Sequence, residues 1–199
     1  MRNESRMGYR MVNRPAPILM ILLMLLYLAP AQPLEWQPEL LQSREWWRLI
    51  TGHLVHLSGR HLMLNVAGLI TLWMLYPCFL SLRDTALATV FIAVGISLGL
   101  LLLQPDLPGY RGFSGCLHGL AAMLAIRGLG HERILSVGVL VLVPGKLAME
   151  AVGVGLADTA RLIGGPVIWQ AHVLGFSAGV VLAGLHWFKS QTPRQSSPE

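Results

Sequence analysis

The chain has 199 residues, 54% hydrophobic and only 13% charged, with a mean hydropathy of +0.57. Soluble domains carry about 25% charged residues, so this composition excludes an ordinary soluble enzyme and a disordered chain alike. The net charge of +5 comes from basic residues scattered singly through apolar sequence, without the solvated basic face and interleaved aromatics that nucleic-acid binding needs.

What remains is a small polytopic membrane protein, all-α, with the lipid bilayer as its surroundings. At about 20 residues per spanning helix, the length admits six spans and one sizeable loop. The apolar segments run over 16–31, 61–82, 85–104, 114–129, 134–156 and 166–188. They predict a basic cytoplasmic N-terminus over 1–15, a six-helix membrane domain over 16–188 and a disordered cytoplasmic tail over 189–199.

The first segment has two readings. A basic start, the run Ile18–Leu28 and Ala29-Pro30-Ala31 resemble a cleavable signal peptide. Prolines at 30 and 33 spoil that cleavage site, which favours an uncleaved first span. The loop 33–60 carries Trp36, Trp46, Trp47 and Leu49 among its charges, a composition suited to the membrane interface.

Orientation follows from the flanking charges. With six spans, nine basic residues collect on one side, Arg2, Arg6, Arg10 and Arg14 among them, against five on the other. The positive-inside rule then places both termini in the cytoplasm.

Polar groups inside spans are costly and therefore informative. His61 and Asn65 open the second span at i,i+4, on one helix face. Gly112-Phe113-Ser114-Gly115 opens the fourth, and His172 lies near the start of the sixth. These three spans all begin on the non-cytoplasmic side. A rise of about 1.5 Å per residue places all three groups at similar shallow depth. Each residue alone is compatible with helix–helix hydrogen bonding. Together they supply a serine nucleophile, a histidine base and oxyanion donors, the last including the free N–H groups at the helix start. A small residue every four positions, Ala171, Gly175, Gly179 and Ala183, permits the close helix packing that would join Ser114 to His172.

Trp47-Arg48, His61-x-x-x-Asn65, Gly112-x-Ser114-Gly115 and Ala171-His172-x-x-Gly175-x-x-x-Gly179, in this order, resemble the rhomboid family of intramembrane serine proteases. The resemblance implies a six-transmembrane-helix bundle and a Ser114–His172 dyad without a carboxylate. It further implies an oxyanion site of His61, Asn65 and the Ser114 N–H. No Asp or Glu stands at an evident triad position in the sequence.

Two departures stand out. Rhomboids commonly place Tyr four residues after the serine, where this chain has His118. An orienting role, a packing role and a rival base are all open to it. Lys146 and Glu150 form an i,i+4 pair in the fifth span, as a structural ion pair or a substrate-reading element. Lys146 lies about 18 Å along from Ile134, near or beyond mid-bilayer.

Together these features resemble the rhombosortase subgroup. That resemblance implies cleavage of exported bacterial proteins at a C-terminal Gly-Gly, hydrophobic helix and basic tail. It also implies an inner-membrane location, with the site facing the periplasm. A broad-specificity rhomboid and a non-catalytic rhomboid-like binding protein are the alternatives. A transporter predicts repeat symmetry, and none is visible. No metal or organic cofactor is implied, and the oligomeric state is open. His53, His56 and His61 could be drawn as a metal site, but without a carboxylate nearby they read as loop hydrogen-bonding residues. Cys116 reads as a small core residue, and Gly95 and Gly99 as a packing notch.

Overall fold

The structure, a computed structural model, describes residues 15–77 and 81–191. Almost all of the expected N-terminal segment, most of the expected tail, and Cys78 lie outside the described residues. In chain order the helices are α1 Pro15–Tyr27, α2 Pro38–Gln42, α3 Arg48–Thr51, α4 Gly59–Leu75 and α5 Leu82–Leu103. They continue with α6 Ser114–Gly128, α7 Arg133–Ala151, α8 Leu156–Ile163 and α9 Trp169–Gln191. Their starts follow local chemistry. Ser58 caps α4 by accepting from the His61 N–H at 3.2 Å, and Ser81 caps α5 by accepting from the Asp84 N–H at 3.1 Å.

Helix α6 forms the middle of the bundle, packed by α4, α5, α7 and α9. Its Cys116, Leu120, Ala122, Met123, Leu124 and Ala125 are all buried, and a helix apolar on every side belongs inside a bundle. Ile92, Ile96 and Leu100 of α5 complete that core. The outside is apolar too: Leu102, Ile134 and Leu142 are exposed, which explains how 54% hydrophobic residues are accommodated. Exposed apolar surface of this kind suits lipid contact.

Among the described residues two helices, α5 and α7, are long and apolar enough to cross a membrane, while the apolar stretches Pro17–Tyr27 and Trp169–Leu185 are shorter. Helix α6 has 15 residues, about 22 Å of rise. It is the short helix that the fourth apolar segment predicts. The fifth segment ends earlier than expected. Gly153 and Gly155 adopt φ of +85° and +75°, conformations that L side chains resist, so α7 stops at Ala151 and α8 begins as a separate amphipathic turn. Trp36 of the first loop differs from its neighbouring tryptophans. It is fully buried within the protein, whereas Trp46 and Trp47 are exposed.

Candidate active site

The segment before Ser114 is tied to the first loop. Trp36 and Tyr110 exchange backbone hydrogen bonds of 3.2 and 2.9 Å, and the Gly112 N–H donates to Gly52 O at 3.2 Å. The Tyr110 hydroxyl donates to Gly112 O at 2.8 Å, and Arg111 pairs with Glu35. Arg48, almost fully buried, holds the loop itself. It donates to the carbonyls of Gln32 and Glu35 at 2.8 and 2.6 Å and to the Glu45 carboxylate at 2.6 Å. Gly112 has φ +135°, and a Cβ there would lie 2.6 Å from the His61 ring. Only glycine satisfies both demands. Ser114 then starts α6, where helix geometry leaves its N–H without an intrahelical acceptor.

Helix α9 approaches α6 at backbone distance. A Cβ on Gly175 or Gly179 would collide with the carbonyl of Gly115 or Gly119. The small-residue stripe of α9 therefore lies against α6, and Leu174 fills the notch at Gly99. This contact brings Ser114 Oγ to 2.8 Å from His172 Nε2.

The remaining ring nitrogen of His172 overturns one expectation. Its Nδ1 lies 2.9 Å from Glu150 Oε2, so a carboxylate does stand beside this histidine, where the sequence offers no evident one. The contact between α7 and α9 joins the two residues. Glu150 Oε1 accepts from Lys146 Nζ at 2.7 Å, the i,i+4 pair expected in the fifth span. Lys146 Nζ also lies 3.1 Å from His118 Nε2, and His118 Nδ1 lies 2.7 Å from Ser114 O. The His118 ring stacks on His172 with centroids 4.5 Å apart. Both His118 nitrogens are thus engaged away from Ser114 Oγ, which His172 contacts.

His61, Asn65, Ser114, His118, Lys146, Glu150 and His172 all line one cavity of about 260 Å³. The Leu57 N–H points to His61 Nδ1 at 3.4 Å, leaving Nε2 of the neutral ring as the protonated nitrogen. Asn65 Nδ2 donates one hydrogen to His61 O at 3.1 Å and retains a second. Polar residues of four helices, α4, α6, α7 and α9, thus line one cavity.

His53 and His56 do not join it. His53 Nε2 bonds Ser97 Oγ at 3.0 Å, and Ser97 in turn donates to Leu49 O at 2.8 Å, fastening the loop to α5. His56 packs edge-on against His61, without a side-chain hydrogen bond among the described residues, contrary to the loop-bonding role expected of it. Burial pushes the His53 imidazole down to about 3, partly opposed by the nearby Ala93 backbone. Burial, followed by the neighbouring His61, does the same to His56, also to about 3. Both rings are held neutral.

An apolar-surfaced helical bundle with a hydrogen-bonded serine–histidine pair at a cavity wall defines the class: a helical membrane protein. The Rhomboid domain matches residues 43–188, most of the chain, and the chain belongs to the rhomboid family, whose proteases act on transmembrane substrates within a bilayer. Comparison with curated proteins returns no match.

Proposed function

We propose that this chain is an intramembrane serine endopeptidase in which Ser114 is the nucleophile and His172 its base. The observation that carries this reading is the 2.8 Å contact between Ser114 Oγ and His172 Nε2 at the wall of a cavity. Ser114 Oγ attacks the scissile carbonyl as His172 Nε2 takes its proton. His61 Nε2–H, the free Asn65 hydrogen and the Ser114 N–H stabilise the oxyanion. His172 then protonates the leaving amine, and water resolves the acyl-enzyme. An amine in place of water would give transpeptidation from the same intermediate.

The six apolar segments act as six spans in this reading, with both termini cytoplasmic and the cavity toward the periplasm of a bacterial inner membrane. The substrates are single-helix membrane proteins, most specifically exported proteins ending in Gly-Gly, a hydrophobic helix and a basic cluster. His118 after the serine and the Lys146–Glu150 pair favour this rhombosortase-like specificity over a broad one.

The test is cleavage of a Gly-Gly-tailed membrane substrate in cells expressing wild type, Ser114→Ala or His172→Ala. Cleavage by wild type alone is expected. Cleavage persisting in both variants would remove the protease reading and leave a non-catalytic binding protein. Equal cleavage of unrelated single-helix substrates would instead replace the specialised reading with a broad one.

A further inference from the structure

We infer that Glu150 is a positioning residue that makes the catalytic group a Ser114–His172–Glu150 triad, with Lys146 fixing which way the carboxylate serves it. The inference rests on the protease reading above and adds the group that sets the tautomer of the base.

The hydrogen bonds form a closed ring in which every proton has a determined place. Lys146 is an ammonium with donors only. It therefore donates to Glu150 Oε1 at 2.7 Å and to His118 Nε2 at 3.1 Å. His118 Nε2 accepts, so the hydrogen of its neutral ring sits on Nδ1 and is donated to Ser114 O at 2.7 Å. On the other branch, Glu150 Oε2 is a carboxylate acceptor 2.9 Å from His172 Nδ1. That nitrogen must carry the hydrogen, which leaves the His172 Nε2 lone pair facing Ser114 Oγ at 2.8 Å. This is the tautomer a general base requires. When His172 takes the serine proton and becomes cationic, the buried Glu150 lies against the new charge, as the carboxylate of a Ser-His-acid triad does. Burying a carboxylate is costly unless it is paired and hydrogen-bonded, and here both oxygens are occupied.

The arrangement makes an unusual demand on an isosteric replacement. In Glu150→Gln the amide has one acceptor and one donor end. Lys146, which can only donate, turns the amide oxygen toward itself and the NH2 toward His172 Nδ1. His172 is then forced to carry its hydrogen on Nε2, where it cannot accept from Ser114. Removing the ammonium with Lys146→Met frees the amide to turn over and restore the working tautomer.

The experiment measures kcat and KM for cleavage of a fluorogenic single-helix substrate by full-length, detergent-solubilised protein. Wild type, S114A, E150Q and K146M/E150Q are compared. Expected are a fall in kcat of about 10³-fold or more for E150Q with KM near wild type, and at least roughly tenfold recovery in K146M/E150Q. A purely structural ion pair predicts neither the kcat-specific loss nor recovery on deleting its partner. E150Q retaining kcat within about threefold of wild type, or a double variant no more active than E150Q, overturns the inference while an inactive S114A leaves the protease reading intact. Full activity in S114A removes the protease reading itself.

Discussion

His118 lies almost parallel to His172, with planes 17° apart and centroids at 4.5 Å. This stack fixes one face of the proposed base, while the bond from His118 Nδ1 to Ser114 O ties the stacking ring to the serine's own turn. Aromatic pairs contribute about 0.5–1.5 kcal/mol beyond buried area. His118→Ala should therefore lower kcat by roughly three- to tenfold through lost stacking. His118→Tyr, which keeps an aromatic face, should retain most of the activity. Steady-state cleavage assays distinguish the two; equal losses in both would argue against stacking as the important contact.

The contact between α6 and α9 is backbone against backbone at Gly175 and Gly179. Gly175→Val should force the helices apart and separate Ser114 from His172. A displacement near 1 Å costs about 10²-fold in rate, and overpacking costs about 1–3 kcal/mol of stability. Activity and the thermal midpoint should fall together. A Gly175→Val protein with wild-type turnover would contradict the close approach.

Buried neutral His53 and His56 make stability depend on pH. Their folded values, about 3 for each, lie below the ordinary histidine value of about 6.5. The unfolded chain therefore binds more protons between these limits. The stability they contribute is complete above about pH 6.5 and falls with decreasing pH toward 3, by up to about 1.4 kcal/mol per pH unit for each ring. Thermal unfolding in detergent from pH 8 to 5 should show a flat region followed by a decline. His53→Asn should make that decline shallower, and a midpoint equally constant through pH 5 would contradict the assignment.

Arg48 holds the first loop through two backbone carbonyls and Glu45. Its replacement by Ala should destabilise the fold by about 3 kcal/mol, because buried acceptors lose a charged donor. Since Arg48 does not line the cavity, turnover per folded molecule should change little. Chemical unfolding alongside activity at low temperature separates these effects.

The bundle and much of the site were legible because the membrane makes polar residues scarce. His61, Asn65, Ser114 and His172 could be compared for side and depth before any contact was visible. Glu150 was within reach of the same arithmetic. It stands sixteen residues after Ile134, about 24 Å of rise, which brings it near the far face of a roughly 30 Å core and to the depth of the other polar groups. Pairing it with Lys146 satisfied its charge locally and concealed its second partner. The burial of Trp36 is not legible for a different reason: its loop pairs its backbone with Tyr110, a non-local contact that composition does not encode. The end of α7 was obscured because Val152 to Leu156 reads as continuous apolar sequence, while the break lies in glycine backbone geometry.

The most direct measurement is covalent labelling of the folded, detergent-solubilised protein with a fluorophosphonate, followed by peptide mass spectrometry. An activated serine should yield one adduct, on Ser114, and His172→Ala should lose it while retaining its fold. A folded wild-type protein unlabelled at Ser114, or labelling equally fast without His172, would contradict the account.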